Sequence, residues 1–313
     1  MQDKYDCILM IAFGGPEKPE DIRPFLKNVT RGRRIPESRL DVVARHYEVI
    51  GGKSPLNELT FKQAEGLGRV LAERGIKLPV YVGMRNWHPL LADTVRKMAS
   101  DGVLSTIGLI MAGFQSFSSW EQYHQNYRDA LEEAAVDIAI DYTPPFYNHP
   151  LFVEAVADRV KKRLEEIPVE EREGAVVVFT AHSIPSGMAS KSPYEEQLEA
   201  ASRLVAERVG HNRWQLAYQS RSGCPEDPWL EPEICDVIRE LKDKGVKYAV
   251  VHPIGFVCDH VEVLFDIGVE AVGIARELGI TLLRANTVND DEKFLLALAD
   301  IVESKINDRR SPQ

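Results

Sequence analysis

Short apolar runs that alternate with longer amphipathic runs constrain the fold of this chain more than any other feature. Runs such as CILMIA and AVVVF have no polar residue at alternate positions, so each is expected to be buried on both faces. Strands of that kind occur in parallel sheets whose two faces are covered by helices. The sequence therefore predicts an α/β fold with a doubly wound, parallel architecture. The predicted strands span residues 6–12, 79–84, 104–111, 136–141, 174–181, 214–219, 247–254 and 279–284.

The second half of the chain repeats the pattern of the first. Residues 93–103 align without a gap with residues 236–246, and each run leads into an apolar strand. At the same offset upstream, Pro89 corresponds to Pro232, and we expect each proline in the first turn of its helix. Chance similarity between two βα units is the alternative explanation. The repeat favours two similar Rossmann-like domains.

The first strands of the two halves also correspond, and this gives His182 the position that Phe13 holds in the first half. In folds of this class, binding sites lie at the carboxyl ends of the strands. We therefore predict domains at 1–147 and 148–313, with parallel sheets that face a central cleft. A C-terminal helix from about 291 to 306 is expected to pack across the two halves.

Composition and charge limit the class of protein. The 313 residues are 44% hydrophobic and 27% charged, as in soluble globular proteins, and no apolar run approaches the roughly 20 residues that span a bilayer. The start, MQDKYDCILMIAFGGP, is typical of a first strand and not of a signal peptide, so we expect a cytoplasmic protein without a membrane span. A net charge of −10 disfavours nucleic acid, although arginines cluster locally. These arginines are Arg31, Arg33, Arg34, Arg39 and Arg45.

Several common chemistries lack their motifs. Neither half carries a phosphate-binding loop, because the glycine pairs at 14–15 and 51–52 are not in G-x-G-x-x-G spacing. Ser183 follows His182, but no G-x-S-x-G elbow surrounds it. The four cysteines, at 7, 224, 235 and 258, show neither a C-x-x-C pair nor the spacing of a zinc or iron–sulfur site. Nucleotide binding and triad hydrolysis are therefore disfavoured.

Three acidic residues recur at intervals of four after an apolar strand. Glu262, Asp266 and Glu270 share one face of a helix at this spacing, and apolar residues cover its other sides. A row of one charge sign at the carboxyl end of a parallel strand indicates a path for a hard cation. An ordinary exposed acidic face is the alternative.

His182 is expected to point towards the same cleft as the carboxylates. A histidine with a glutamate suits Fe(II), Zn(II) or Co(II), or accepts a proton near neutral pH. The alternative is a histidine that only bonds a backbone carbonyl. We expect His260, two residues before Glu262, to point elsewhere and to have a structural role.

Short motifs spread over residues 8–270 resemble, in order and spacing, the signature regions of the ferrochelatase family. The resemblance implies a type II chelatase, which inserts Fe(II) into a porphyrin without ATP. It also implies a cleft that bends the macrocycle and exposes the nitrogen lone pairs. The motifs are F-G-G-P-E (13–17), T-R-G-R (30–33), H-Y-E-V-I-G-G-K-S-P (46–55), R-N-W-H-P-L (85–90), T-A-H-S-I-P (180–185), Y-Q-S-R-S-G (218–223), D-P-W-L-E-P (227–232) and H-P-I-G-F-V-C-D-H-V-E-V-L-F-D (252–266).

The resemblance implies roles for individual residues. His182 and Glu262 match the pair at the metal-insertion site, and Asp266 and Glu270 match an acidic ridge that delivers metal. Phe13 stands where some relatives carry a tyrosine that can bind product iron. Because phenylalanine has no ligating atom, we expect Phe13 to pack against the ring. The residues that fall near porphyrin contacts are Phe13, Thr30, Arg31, Arg45, His46, Tyr47, Ser54 and Tyr123.

The identity of the porphyrin is inferred from the region around its propionates. Thr30 replaces an arginine of some members, so propionate pairing is expected to shift to Arg31, Arg33 or Arg45. Residues 51–75 are mostly polar, whereas members that use protoporphyrin at a membrane carry an apolar lip there. We therefore predict coproporphyrin III, with four propionates, as the substrate and coproheme as the product. Protoporphyrin IX, giving protohaem, is the alternative.

Other partners and cofactors follow from the same resemblance. The tail IVESKINDRRSPQ has no cysteine, so we expect no [2Fe–2S] cluster, and no tightly bound cofactor besides the substrate Fe(II). We expect a monomer, with Cys258 as a buried thiol. A cobalt or nickel chelatase for another tetrapyrrole and a non-catalytic porphyrin or haem carrier are the competing functions.

Overall fold

The chain folds into two compact units, each built on its own parallel sheet. The computed structural model describes residues 5–32, 35–222 and 227–308. Unit 1 takes its described residues from Met1–Ala112, Phe117–Phe146 and Asp290–Gln313, and unit 2 is formed by those of Gly113–Ser116 and Tyr147–Asn289.

Unit 1 contains a sheet of four parallel strands. They are β1 (Cys7–Ala12), β2 (Val80–Met84), β3 (Ser105–Ile110) and β4 (Ala139–Tyr142). Their order is β2-β1-β3-β4, so β1 has a neighbour on each side. Every residue of β1 is buried, as its apolar sequence requires of a strand covered on both faces.

Helices connect these strands in the manner of repeated βαβ units. They are α1 (Ile22–Val29), α2 (Glu37–Val49), α3 (Leu56–Glu73), α4 (Leu91–Ser100) and α5 (Gln122–Ala134). A 3₁₀ turn at Pro19–Asp21 precedes α1. A π-helix at Phe117–Glu121, here named the first π-helix, runs directly into α5.

Unit 2 has the same sheet topology. Its strands are β5 (Val176–His182), β6 (Trp214–Gln219), β7 (Tyr248–His252) and β8 (Thr281–Arg284). Their order is β6-β5-β7-β8, again with all pairs parallel. The matching order in the two units confirms the repeat that the sequence predicts.

The helices of unit 2 follow the same order as those of unit 1 between the second and the fourth strand. They are α6 (Pro150–Glu165), α7 (Val169–Arg172), α8 (Ser186–Ala189), α9 (Tyr194–Val209), α10 (Ile234–Asp243) and α11 (Val272–Glu277). The second π-helix, Glu262–Ala271, runs directly into α11. In each unit the π-helix therefore follows the third strand of that unit.

The eight predicted strands are all present, and the fourth is shifted. The sequence predicts it at 136–141, and the structure has it as β4 at Ala139–Tyr142. The difference arises at the end of α5, where Ala135 adopts a left-handed conformation and the Val136 amide caps the Leu131 carbonyl. These residues therefore complete the helix instead of beginning the strand.

The last helix, α12 (Glu292–Asp308), belongs to unit 1. The sequence-based division places this segment in the second domain and predicts that it packs across the halves. In the structure it packs on α3, where a Cβ on Gly66 would lie 2.3 Å from Leu295. Arg74 also pairs with Asp300 and Glu303 of α12, at 2.7 and 3.0 Å. Side-chain packing therefore assigns α12 to the first unit.

The prolines of the repeat lie just outside their helices. Pro89 and Pro232 both follow cis peptide bonds, whereas α4 and α10 begin two residues later. The Pro89 carbonyl accepts from the Met84 amide at 2.9 Å, and the Pro232 carbonyl accepts from the Tyr218 amide at 2.8 Å. The expectation of a first-turn proline is wrong, because each proline is held against the end of a strand.

These matched contacts fix the equivalence of Phe13 and His182. Met84 is in register with Ala12 in unit 1, and Tyr218 is in register with Ala181 in unit 2. The residue after each alanine is Phe13 or His182, so the two occupy the same position after the central strand. The prediction made from sequence is confirmed.

Among the described residues, no helix combines the length and the apolar composition that crossing a membrane requires.

Candidate active site

His182 is the last residue of β5, and its ring is oriented by backbone groups. The Nδ1 atom lies against the Ser183 carbonyl, which can only accept a hydrogen bond, so Nδ1 carries the proton in the neutral ring. The Tyr194 hydroxyl donates to the His182 carbonyl at 3.1 Å. In the neutral ring, Nε2 is therefore left with a lone pair that can accept a proton or bind a metal ion.

Glu262 lies next to this nitrogen. Its Oε1 atom is 3.7 Å from His182 Nε2, and about a third of each side chain is exposed. Glu262 is the first residue of the second π-helix, so its side chain projects from the end of a helix. The structure therefore brings together, within unit 2, the histidine and the glutamate that the sequence selects.

His260 is also part of this group, contrary to the expectation that it points elsewhere. Its Nε2 atom is 3.5 Å from Glu262 Oε2, and its Nδ1 donates to the Cys258 carbonyl at 3.1 Å. The expectation depends on helical geometry through residue 260. The helix begins only at Glu262, and the preceding turn directs His260 back towards the carboxylate.

The two histidines determine the charge of Glu262. Burial raises its pKa, but the charge interaction with His182 and the hydrogen bond and charge interaction with His260 outweigh it and lower the pKa from 4.5 to about 2. Burial lowers the pKa of His260, and Glu262 more than reverses this and raises it. Glu262 is therefore an ionised carboxylate near neutral pH.

Asp266 has the opposite character. Burial, and secondarily the charge on Glu262, raises its pKa from 3.8 to about 7, while a hydrogen bond from the Ser220 hydroxyl acts in the other direction. Glu270 is exposed. The three residues of the acidic row thus differ in burial and in charge. Glu262 is ionised, Asp266 titrates near neutral pH, and Glu270 is exposed to solvent.

The helix that carries the row is not an α-helix. Hydrogen bonds from residue i to i+5 define the π form, in which four residues make less than one full turn. In an α-helix the same four residues make more than one turn. The three acidic side chains therefore stay on one side of the helix. Each is rotated slightly about the helix axis from the one before, in the opposite direction to the rotation in an α-helix. Among the described residues, no group of three or more potential ligands forms a closed metal site.

A polar cluster fixes the turn that leads to His260. Asp259 is buried and accepts from Arg284 at 3.2 Å and from the Thr287 amide at 3.2 Å. Its own amide donates to the Asn289 side chain at 2.9 Å. Because Asp259 is bonded on several sides, the backbone before His260 is held firmly against the segment after β8.

The equivalent position in unit 1 is occupied by Phe13, which lies beside an aromatic ring and a guanidinium. Phe13 is 37% exposed and meets Phe25 edge to face, with ring centres 6.3 Å apart. The Arg85 guanidinium lies 5.6 Å from the Phe13 ring and 4.4 Å from the ring of buried Tyr123. Its Nε donates to Asn126 at 2.6 Å. This strand end therefore presents an apolar ring beside a fixed cation.

Three other predicted porphyrin contacts make hydrogen bonds or ring contacts within unit 1. The Thr30 hydroxyl donates to the Leu26 carbonyl at 2.7 Å, which closes the end of α1. The Ser54 side chain is buried and accepts from the Leu56 amide at 3.3 Å, at the start of α3. Tyr47 is buried behind Phe25, with ring centres 6.0 Å apart.

The remaining predicted contacts are more open. Arg31 and Arg45 are exposed, and Arg31 donates to Asn28 at 2.9 Å. His46 is half-buried, and burial together with the charge of Arg39 lowers its pKa. The predicted pairing through Arg33 lies outside the described residues, as does Arg34.

The chain is similar to known proteins along nearly its whole length. Residues 5–306 match the family model described as Ferrochelatase. The chain belongs to the ferrochelatase family. The resemblance drawn from its motifs is confirmed, and the chain is a metal chelatase of haem biosynthesis.

Curated relatives of this ferrochelatase-family chain cover nearly its whole length. A protein of Streptomyces coelicolor named coproporphyrin III ferrochelatase is 44% identical over 328 residues, covering 99% of this chain and 88% of the relative. A protein of Rhodopirellula baltica named ferrochelatase is 41% identical, covering 96% of this chain and 86% of the relative.

A solved structure confirms the fold. SirB from Bacillus subtilis with Fe3+ has a TM-score of 0.60 at 13% identity and covers 97% of this chain and 96% of its own. At this identity the likeness shows only the architecture, which is the predicted α/β arrangement of Rossmann-like sheets.

Sequence reasoning missed three residues that contact candidate site residues within the two units of this ferrochelatase-family chain. His260 contacts Glu262, Ser220 bonds Asp266, and Arg85 lies beside Phe13. Each belongs to a motif that carries the family resemblance, so a signal is present in the sequence. The spacing rules do not single them out, because none of the three lies on a regular helix face with its partner.

Proposed function

We propose that the protein inserts Fe(II) into coproporphyrin III to give coproheme. The observation that carries this proposal is the His182–Glu262 pair, with Nε2 and Oε1 3.7 Å apart and Nδ1 of the histidine already bonded to a carbonyl. A base with a free lone pair beside a charged carboxylate suits metal insertion, which must remove protons and hold a dication at one centre. The choice of porphyrin is supported by relatives such as that of Streptomyces coelicolor, which is named for this substrate.

His182 is the proposed proton acceptor. Insertion of one Fe(II) releases two pyrrole protons from the macrocycle. A neutral His182 takes one of them at Nε2, and the second leaves to solvent water. The imidazolium that forms is stabilised by the carboxylate of Glu262. The Ser183 carbonyl continues to accept from Nδ1, so the ring keeps its orientation during the transfer.

Glu262 is the proposed metal contact. Interaction with the two histidines lowers the pKa of Glu262 further below neutral, so it is ionised, and an ionised carboxylate is a good ligand for a hard cation. His260, which bonds the other carboxylate oxygen, orients Glu262. We propose Asp266 and Glu270 as successive weak stations that pass Fe(II) to Glu262.

Residues of unit 1 are proposed to bind the porphyrin. Phe13 offers a partly exposed ring surface, and Tyr123 supports it through Arg85. The exposed guanidinium groups of Arg31 and Arg45 are suited to pair with propionates. Thr30, His46, Tyr47 and Ser54 are proposed to shape this region, three of them through the bonds and ring contacts described above.

Further properties remain predictions. We propose that the protein is a cytoplasmic monomer and that it holds no [2Fe–2S] cluster or other tightly bound cofactor. Fe(II) is a substrate in this proposal. Size-exclusion chromatography with light scattering, and metal analysis of the purified protein, test the oligomeric state and the cofactor content.

An anaerobic absorbance assay tests the reaction. Purified protein is incubated with Fe(II) and either coproporphyrin III or protoporphyrin IX, with and without detergent to control for aggregation. We expect loss of the free-base spectrum, faster with coproporphyrin III under both conditions. A preference for protoporphyrin IX would show that this porphyrin, and not coproporphyrin III, is the substrate. Turnover with Co(II) or Ni(II) alone would indicate a different chelatase, and binding without turnover would indicate a carrier.

A further inference from the structure

Gln219 joins the two polypeptide segments that carry His182 and Glu262. It is the last residue of β6, is completely buried, and is in register with His182 of β5. Its backbone carbonyl accepts from the Ser183 amide at 2.8 Å. The same Ser183 supplies the carbonyl that orients the His182 ring. On its backbone side, Gln219 is therefore attached to the histidine.

The side chain of Gln219 is attached to the glutamate. Its Nε2 donates to the backbone carbonyl of Glu262 at 3.0 Å, and its Oε1 accepts from the hydroxyl of buried Thr180 at 2.7 Å. Because a carbonyl can only accept, the amide nitrogen must face Glu262 and the amide oxygen must face Thr180. The Glu262 carbonyl therefore fixes which way the amide of Gln219 faces, and the Thr180 hydroxyl holds the amide in place by donating to its oxygen.

The following residue continues this contact with the second π-helix. The Ser220 hydroxyl donates to the carboxylate of Asp266, one turn beyond Glu262. Two consecutive residues at the end of one strand thus hold the helix at its first residue and in its middle. A helix fastened at two points to the neighbour of β5 cannot shift along the strand end without breaking one of these two partly buried hydrogen bonds.

We propose that Gln219 is a positioning residue that sets the separation between His182 and Glu262, with Thr180 fixing its amide. The proposal rests on the proposed function of this pair in metal insertion. Gln219 touches neither substrate nor metal in this role and acts through the backbone of Glu262. Its loss should reduce turnover more than porphyrin binding, since the distance between base and metal contact affects only the chemical step.

Replacement of the amide head tests the proposal. Gln219→Met keeps the length of the side chain and removes both hydrogen bonds. We expect kcat for Fe(II) insertion to fall roughly tenfold to a hundredfold, with the KM for porphyrin within about twofold. A titration with Co(II), followed by its absorbance, should show weaker metal binding without reference to activity. Gln197→Met is the matched control, because Gln197 is buried in the same unit and the hydrogen bonds described for its side chain are with Gln115.

A second variant tests the donor itself. Gln219→Glu keeps the acceptor for Thr180 but donates to the Glu262 carbonyl only when it is protonated, and burial raises the pKa of such a carboxyl. The ratio of its kcat to that of the unaltered protein should therefore recover as pH falls. The corresponding ratio for Gln219→Met should not change with pH. A side chain that only filled space would give no such recovery.

The outcomes distinguish this proposal from the function on which it rests. If the unaltered protein does not metallate a porphyrin, the proposed function is wrong. If it does so and Gln219→Met keeps normal kcat and Co(II) binding, only the positioning role is overturned. Should Gln219→Met fail to fold, Thr180→Val is used, since it leaves the amide in place and frees its rotation. For Thr180→Val, a fall in kcat smaller than that expected for Gln219→Met supports the positioning role, and an unchanged kcat overturns it.

Discussion

The two strand ends of the repeat share a backbone and differ in chemistry. Phe13 follows β1 and His182 ends β5, at positions that the contacts of Met84 and Tyr218 make equivalent. Phe13 is packed by an aromatic ring and a guanidinium, whereas His182 is held by a backbone carbonyl beside a carboxylate. A duplicated scaffold can therefore keep its geometry while only one copy carries the titratable groups.

The π-helices show the same division. Each follows the third strand of its unit, but the first has a single acidic residue, Glu121, and the second carries Glu262, Asp266 and Glu270. π-Helical segments are rare in proteins as a whole, and those that occur are often found at functional sites. Their presence in both units, with an acidic row in only one, indicates that the backbone form came with the scaffold and that the acidic chemistry belongs to unit 2.

The largest expected effect comes from removing the histidine. His182→Ala should lower kcat for metallation by about 10²–10⁴-fold, since a positioned proton acceptor contributes that much, and should leave porphyrin affinity within a few fold. The matched change in unit 1, Phe13→Ala, should cost less than about tenfold, through KM for porphyrin. Steady-state kinetics and fluorescence titration with porphyrin measure both. Similar losses of kcat at the two positions would break the comparison.

The acidic row should show a graded response. Glu262→Gln should lower kcat by about 100-fold or more, because it removes the charged carboxylate that is proposed to contact the metal and to stabilise the imidazolium of His182. Asp266→Asn and Glu270→Gln should mainly raise the KM for iron. Initial rates at varied Fe(II) separate the two parameters. An equal fall in kcat for all three variants would contradict a path with distinct stations.

Substrate choice should depend on the arginines of unit 1. A charge-assisted hydrogen bond to a propionate contributes about 1.5–3 kcal/mol, so one additional pair predicts roughly tenfold in kcat/KM. Arg31→Ala or Arg45→Ala should therefore reduce kcat/KM for coproporphyrin III more than for protoporphyrin IX. Added salt should weaken the preference, because both residues are exposed. Equal losses with both porphyrins would exclude these residues from the selection of substrate.

The smallest effect concerns pH. Asp266 has a pKa of about 7, so its ionised fraction rises from about one tenth at pH 6 to about nine tenths at pH 8. The KM for iron should fall across that range and should become flat in Asp266→Asn. A KM that follows the same pH curve in both proteins would assign the titration to another group.

Ionisation of Asp266 should favour iron binding, but it should lower the stability of the folded protein. The pKa of Asp266 is higher in the folded protein than the ordinary 3.8, so the folded state retains a proton that the unfolded state loses, and stability falls as pH rises from about 4 to about 7. The Asp266→Asn variant avoids this loss, which amounts to a few kcal/mol at most. Chemical denaturation at pH 4 and pH 8 should show that the stability of the variant, relative to that of the original protein, is greater at the higher pH.

The sequence by itself determined the sheets, the repeat and the family. Apolar runs buried on both faces define parallel strands, and the alignment of the two halves is enough to pair Phe13 with His182. Motifs in the order and spacing of the family selected His182 and Glu262 as the reacting pair. These properties depend on neighbours close in the chain or on regular spacing, which a sequence displays directly.

Only the tertiary structure decided how the reacting groups are held and charged. Gln219 and Glu262 lie 43 residues apart, and the turn that brings His260 to the carboxylate precedes the helix to which the spacing rule applies. The end of the chain joins unit 1 because α12 packs on α3. Glu262 and Asp266 are both acidic in the sequence, yet their pKa values diverge, because burial and charged neighbours depend on which distant segments fold together.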